Sequence, residues 1–157
     1  MIWKALLAGV VTAFGIEGCS PATRQTVPPP ATGADSLLIV AVGASNTYGE
    51  GVSRADTYPA QLEAVLRRGG LDVTVRNEGI NGQTTAEVLS RLRRTVPEGT
   101  HIVILQVGGN DLRPGEETNT NVNVEKMVAT LRERHIEVLI IPGAGLRGPE
   151  LRELADK

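Results

Sequence analysis

The sequence predicts an α/β protein built on a doubly wound parallel sheet with helices on both faces. Four apolar, strand-like runs alternate with three amphipathic helical segments in the order β-α-β-α-β-α-β. The run at 101–107 is nearly continuous in apolar residues, which is typical of a strand buried on both faces of a parallel sheet. Strands that alternate with helices of this length indicate crossover connections and a three-layer, flavodoxin-like arrangement.

The first part of the predicted domain supplies two strands and the helix between them. We expect the first strand at 37–42 and the second at 71–76, with Val73 and Val75 pointing inward. The helix at 58–68 places three apolar residues at helical spacing, namely Leu62, Val65 and Leu66. Together these segments form a first β-α-β unit.

The remaining part repeats this alternation. A helix capped by Thr84 or Thr85 precedes the strand at 101–107, and a helix near 122–134 precedes a strand at 136–141. The residues expected to face the core are Val88, Leu89 and Leu92 on one helix and Val124, Met127, Val128 and Leu131 on the other. No buried strand is visible after the fourth, so we expect the last strand and helix of such a fold to be lacking.

Composition excludes several classes of function. The chain has 157 residues, a formal net charge of -2 and 3% aromatic residues, so it offers no basic surface and few rings for binding nucleic acid. Its one cysteine excludes an internal disulfide, and no His or Cys cluster has the spacing of metal ligands. We therefore expect one globular domain with no metal and no nucleic-acid partner.

The N-terminal segment has the pattern of an export signal. Lys4 precedes the apolar stretch 5–16, which as a helix would rise ~18 Å and is short for a bilayer core of ~30 Å. The sequence that ends at Cys19 resembles a bacterial lipoprotein signal, although Glu17 departs from the small or apolar residue usual there. The alternative is that Cys19 is an ordinary thiol behind a leader that is uncleaved or cleaved elsewhere.

These observations predict three regions: an export signal at 1–19, a Pro-rich tether at 20–34 and a folded domain at 35–157. Lipid on Cys19 would attach the protein to a membrane in the bacterial periplasm or at the outer membrane, and cleavage elsewhere would secrete it.

Small polar loops follow three successive predicted strands. They contain Ser45, Gly82 and Asn110, and a parallel sheet brings the carboxyl ends of its strands to one edge. In acyl transfer a hydroxyl attacks a carbonyl, and backbone N–H groups or an amide side chain stabilise the resulting oxyanion. The three loops supply this set of groups, although each loop alone is also ordinary turn chemistry.

The sequences of these loops resemble three blocks of the SGNH or GDSL hydrolase family of esterases and lipases. The blocks are Gly43-Ala44-Ser45-Asn46, Asn77-Glu78-Gly79-Ile80-Asn81-Gly82 and Gly108-Gly109-Asn110-Asp111, within a resemblance that covers about 37–142. The resemblance implies that Ser45 is the nucleophile and that Gly82 and Asn110 hold the oxyanion. It also implies cleavage of a small ester or lipid substrate, as in arylesterases and lysophospholipases, without a metal or organic cofactor.

Two departures from the family pattern bear on activity. Ala44 replaces the Asp of Gly-Asp-Ser, and the final Asp-x-x-His block, which carries the catalytic base, is absent. His101 and His135 begin the third and fourth strands, so we expect both at the amino edge, far from Ser45. Three acidic residues after the third strand, Asp111, Glu116 and Glu117, could approach the serine or serve only the loop.

The missing base leaves two alternatives to an active esterase. One is a surface-tethered, non-catalytic binding domain on the same scaffold, because a scaffold does not by itself establish activity. The other is a shortened gene product, in which the fourth strand would be left as an exposed apolar edge.

Overall fold

The computed structural model describes residues 36–113 and 119–143, and these form one parallel four-stranded sheet of strand order β2-β1-β3-β4. The strands are β1 (Leu37–Gly43), β2 (Val73–Gly79), β3 (Ile102–Val107) and β4 (Glu137–Pro142). The helices are α1 (Ser45–Tyr48), α2 (Tyr58–Arg68), α3 (Thr85–Thr95) and α4 (Thr120–Arg132), with 3₁₀ turns at Arg54–Asp56 and Asn110–Leu112.

Helices cover both faces of this sheet. The apolar side chains of α3 and α4 pack on one face against alternate residues of β1 and β3, such as Val40 and Val103. On the other face, α2 packs Tyr58, Leu62 and Leu66 against residues of β1, β2 and β3. The predicted α/β, three-layer parallel fold is therefore confirmed, as is the buried third strand.

The helices α3 and α4 bury the residues that their periodicity predicts. Val88 and Leu92 are buried on α3, with Leu89 partly buried beside them. All four apolar residues predicted for the inner face of α4 are buried: Val124, Met127, Val128 and Leu131. The side of the sheet under α3 and α4 thus holds the larger hydrophobic core.

Three local predictions need correction. Val65 does not join the core and is 54% exposed, because α2 faces the sheet through positions spaced by four residues and Val65 lies to one side of them. The second strand runs over Val73–Gly79 where 71–76 was predicted, since 77–79 stay in register with the end of β1. Ser45 begins a one-turn helix, α1, where a loop was expected.

The two outer strands differ in how they are covered by the described residues. On β2, the outward N–H of Val75 donates to Glu63 Oε2 at 2.8 Å, and the carbonyl of Val73 accepts from Arg67 Nε at 2.8 Å. On β4, Leu139 is 58% exposed although it lies in register with the buried Ile104. Side chains of α2 therefore protect the β2 edge, whereas an apolar part of β4 faces solvent.

Several predictions fall outside residues 36–113 and 119–143. They concern the export signal at 1–19 with Cys19, the tether at 20–34, the segment after residue 143, and Glu116 and Glu117. Among the residues that the structure describes, no helix is both long enough and apolar enough to cross a membrane.

Candidate active site

Ser45 lies at the carboxyl edge of the sheet, just beyond an interior strand. It is the first residue of α1 and follows β1, whose last residue, Gly43, pairs with Gly79 of β2 and Gln106 of β3. The Ser45 side chain is half-buried, and it makes no hydrogen bond to another described side chain. The predicted nucleophile is thus placed between the loops that leave β2 and β3.

Two glycines let α1 pack directly onto the strand ends. A Cβ on Gly79 would lie 2.1 Å from the backbone nitrogen of Tyr48, and a Cβ on Gly43 would lie 2.1 Å from Thr47 Oγ1. The buried Thr47 hydroxyl donates to Gln106 Oε1 at 3.2 Å and so joins α1 to β3. The position of Ser45 is therefore set by contacts to all three neighbouring strands.

Gly82 lies in the turn between β2 and α3. Its φ of +81° is left-handed, which glycine adopts without the strain of a side chain. Its carbonyl accepts a hydrogen bond from Arg113 Nη1 at 3.1 Å, and no described group occupies its N–H. The turn leads into α3 through a capping box formed by Thr84 and Glu87.

Asn110 joins the loop after β3 to the loop after β2. Its Nδ2 donates to the carbonyl of Gln83, the residue after Gly82, at 2.8 Å. An amide nitrogen carries two protons, so one remains for a ligand. The structure thereby joins the loops that follow β2 and β3 at the carboxyl edge, and Ile80 N links the β2 loop to the end of β1 by donating to the Gly43 carbonyl at 3.1 Å.

Arg91 is a component of this region that the sequence analysis missed. Its guanidinium is buried, and its four acceptors are the carbonyls of Gly43 and Glu78, Gln83 Oε1 and Thr95 Oγ1. Burial lowers the pKa of Arg91 from its ordinary value, and the Glu78 carboxylate opposes this effect. A signal was present, because Arg91 occupies a core-facing position three residues after Val88 on α3.

Asp111 serves the scaffold. Its carboxylate is buried and accepts from Thr85 N at 2.7 Å, Thr85 Oγ1 at 2.5 Å and Thr120 Oγ1 at 2.6 Å. Both oxygens are engaged in holding the starts of α3 and α4, so the interpretation of Asp111 as a loop residue is the better one.

Both histidines lie at the amino edge, as predicted. His101 precedes β3, and its Nδ1 accepts from Leu38 N at 3.1 Å, while His135 closes the turn before β4. The six residues of β3 separate this edge from the Ser45 edge by ~20 Å. Neither imidazole therefore reaches the serine, and the 157-residue sequence contains no other histidine.

A groove of about 730 Å³ runs between α1, α2 and the end of β2. Tyr48, Val52, Glu63 and Asn77 are among its lining residues, whereas Ser45, Gly82 and Asn110 are not. Across residues 36–113 and 119–143, no group of three or more His, Cys, Asp or Glu side chains is arranged to hold a metal ion.

The structure defines a class of α/β protein in which a serine follows the interior strand β1 at the carboxyl edge of the sheet. The polar loops that follow β2 and β3 lie on either side of it. Comparison with known proteins identifies the family: the chain belongs to the GDSL-like Lipase/Acylhydrolase family, whose model matches residues 41–157. The resemblance predicted from the three sequence blocks is confirmed.

Several relatives have names that describe ester hydrolysis. The chain is 30% identical over 110 residues to an arylesterase from Vibrio mimicus, which covers 69% of this chain and 54% of that protein. It is 31% identical to AlinE4, an SGNH-hydrolase family esterase, covering 76% of this chain and 67% of that one with a TM-score of 0.60. TesA is 30% identical, with 66% and 58% covered and a TM-score of 0.61. The chain thus spans about half the length of the curated relative it matches.

Proposed function

We propose that this chain carries the nucleophile and oxyanion donors of a serine hydrolase that cleaves carboxylic esters through an acyl-enzyme on Ser45. The observation that carries the proposal is the junction of the β2 and β3 loops, where Asn110 bonds to the residue after Gly82 beside the Ser45 turn. Family membership supports the same reaction. The substrate class is a small aryl or short-chain ester, as in the arylesterase relative, or a lysophospholipid.

In the proposed reaction, Ser45 Oγ bonds to the ester carbonyl carbon while the carbonyl π electrons move to oxygen. The N–H groups of Ser45 and Gly82 and the second proton of Asn110 Nδ2 stabilise this oxyanion. Its collapse expels the alcohol or phenol oxygen and leaves the acyl group on Ser45. Water then attacks the acyl carbon, which releases the carboxylic acid and restores the serine hydroxyl.

The proton of the serine hydroxyl needs an acceptor, and neither histidine lies within reach. In this chain solvent takes that proton, and we expect slow turnover because serine is a weak nucleophile without an adjacent base. The leaving group takes its proton from water, which suits phenols better than alkyl alcohols.

Hydrolysis of p-nitrophenyl acetate by the 157-residue chain tests the proposal. Ser45→Ala should abolish the enzymatic release of p-nitrophenolate, and mass spectrometry should detect an acetyl group on Ser45 of the unaltered chain. Ser36→Ala is the matched control, because Ser36 contacts Asp72 at the opposite edge of the sheet. Equal hydrolysis by the unaltered chain and Ser45→Ala would overturn the proposal.

A non-catalytic binding domain is a second candidate, and the placement of both histidines at the amino edge favours it. Such a domain would bind ester or lipid ligands without acylation of Ser45. Stoichiometric acetylation of Ser45 by p-nitrophenyl acetate would exclude it.

We further propose that the protein is exported and lipid-anchored through Cys19, on the strength of the N-terminal sequence. When cells that express the full chain are grown with a radiolabelled fatty acid, the protein should become labelled. The Cys19→Ala variant should remain unlabelled. Unlabelled protein in the unaltered case would contradict the anchor.

A further inference from the structure

Arg91 is a buried cation that lies between the turn that contains Ser45 and the loop that contains Gly82. Arg91 of α3 is 8% exposed. Its Nη2 donates to the carbonyls of Gly43 at 3.2 Å and Glu78 at 3.0 Å, and its Nε donates to Gln83 Oε1 at 2.6 Å. The remaining bond runs from Nη1 to Thr95 Oγ1 at 3.2 Å. One planar group thus contacts β1, β2 and the loop that leads into α3.

No carboxylate accepts a hydrogen bond from this guanidinium among the residues described. A cation withdrawn from water without a hydrogen-bonded anion is costly, so a helix face that needed only packing would be served by Leu or Met. The rigid fork of arginine, by contrast, fixes several acceptors in one plane. The chemistry of Arg91 therefore fits a geometric task.

The acceptors of Arg91 are the chain segments that carry the candidate site. Gly43 lies two residues before Ser45 in the chain, and Gln83 directly follows Gly82. The backbone carbonyl of Gln83 also accepts from Asn110 Nδ2 at 2.8 Å. Movement of the guanidinium would therefore be transmitted to the turn that contains Ser45 and to Gly82 and Asn110.

We propose that Arg91 is a positioning residue that sets the separation between Ser45 and the oxyanion donors, a role that rests on the proposed function. Arg91 acts through Gly43, Glu78 and Gln83 and does not touch the substrate. A misplacement of about 1 Å at a reacting group can cost ~10²-fold in rate, so the loss of this anchor should be visible in acylation.

The first test observes the oxyanion loop without any chemistry. In ¹⁵N NMR spectra of the full chain, Arg91→Met should shift the side-chain amide signals of Asn110 and the backbone signal of Gly82. Arg94→Met is the matched control, because Arg94 lies three residues after Arg91 on α3 and is exposed. Unmoved Asn110 and Gly82 signals in folded Arg91→Met would overturn the proposal, whether or not the chain is an esterase.

The second test separates positioning from general stability. Hydrolysis of p-nitrophenyl acetate is measured with added imidazole, and the rate without protein is subtracted. In Arg91→Met, kcat should fall about 10–10²-fold, whereas KM should change little. The double variant Arg91→Met/Asn110→Ala should lose less than the product of the two single losses, because part of the effect of Arg91 passes through Asn110. An unchanged rate in a folded Arg91→Met variant would show that Arg91 serves stability only, and would overturn the proposal.

A milder variant covers the case in which Arg91→Met does not fold. Gln83→Ala removes the side-chain acceptor of Arg91 Nε but keeps the backbone carbonyl that holds Asn110. It should shift the Asn110 signals in the same direction and lower the rate, and an unshifted spectrum would again overturn the proposal. If Ser45→Ala proves as active as the unaltered chain, the proposed function fails while the NMR comparison still decides the role of Arg91.

Discussion

Gly79 contributes to the position of Ser45 through the close packing of α1 on the end of β2. Because it lacks a side chain, the backbone of α1 approaches the end of β2 to a distance at which no Cβ fits. Gly43 permits the same approach at the end of β1. The turn that contains Ser45 is therefore packed against the strand ends through close backbone approach.

We predict that Gly79→Ala destabilises the fold. The added Cβ would lie 2.1 Å from the Tyr48 backbone nitrogen, and backbone atoms cannot rotate away as a side chain could. Overpacking of this kind typically costs about 1–3 kcal/mol, measurable by urea unfolding. Gly109→Ala is the control, since its Cβ would meet nothing within 4 Å. Equal unfolding midpoints for both variants would contradict the prediction.

We predict that Asn110→Ala lowers kcat for ester hydrolysis by about 10²–10³-fold, because loss of one preorganised oxyanion donor has this effect. The change also removes the bond to the Gln83 carbonyl, so its unfolding curve should be recorded beside the rate. A folded Asn110→Ala variant with less than a threefold loss would show that the amide does not face the oxyanion.

At the scale of elements, the start of α3 ties the turn that contains Gly82 to the rest of the fold. Thr84 and Glu87 form a capping box, and the Asp111 carboxylate accepts from Thr85 immediately beyond it. These bonds satisfy N–H groups that have no partner within the helix. The turn that contains Gly82 is consequently anchored on its α3 side before any substrate arrives.

We predict an acid-sensitive contribution from this cap. Hydrogen bonds from the Thr84 backbone and then its side chain lower the pKa of Glu87 from its ordinary value of 4.5. A pKa lowered by folding stabilises the protein above that ordinary value, and this contribution is lost as pH falls through the folded pKa. Urea unfolding between pH 7 and pH 3 should therefore show a steeper loss for the unaltered chain than for Glu87→Gln. Parallel profiles would contradict this origin.

At the scale of the whole molecule, the candidate site residues and the two histidines lie at opposite edges of the sheet. The carboxyl edge gathers Ser45, Gly82 and Asn110, whereas both imidazoles lie at the amino edge. The proposed nucleophile and oxyanion donors therefore lie at the edge of the sheet opposite the two histidines of these 157 residues.

We predict that free imidazole restores part of the missing function. Imidazole in solution can accept the Ser45 proton, so the rate of p-nitrophenyl acetate hydrolysis should rise with its concentration after subtraction of the rate measured without protein at the same imidazole concentration and pH. Without imidazole the rate should climb steadily with pH as hydroxide takes the proton. After the same subtraction of the protein-free rate, Ser45→Ala should show neither response. A plateau with a midpoint near pH 6–7 in the absence of imidazole would instead indicate a histidine base.

The sequence was sufficient for the elements whose periodicity is long and regular. The inner face of α4 and the buried strand β3 follow directly from their apolar patterns. It was insufficient for contacts between distant segments, such as Gly79 against Tyr48. Val65 illustrates a related limit, because helical spacing alone does not reveal which flank of α2 extends beyond the sheet.

The candidate site divides in the same way. Ser45, Gly82 and Asn110 could be named because each lies in a short block whose residues are contiguous in the chain. Arg91 could not be assigned a role, since its four acceptors come from separate segments and are brought together only by folding.

The side chains of Glu63 and Arg67 along β2 have a consequence for self-association. An incoming strand would have to displace both from the backbone groups of Val75 and Val73 before it could pair. A sheet polymer grows only if every copy offers two receptive edges, one for each neighbour. Because Glu63 and Arg67 occupy the β2 edge, copies of the folded domain have only the β4 edge available for strand pairing. Pairing through one edge ends at a dimer, so the β2 edge opposes growth of a continuous sheet from copy to copy.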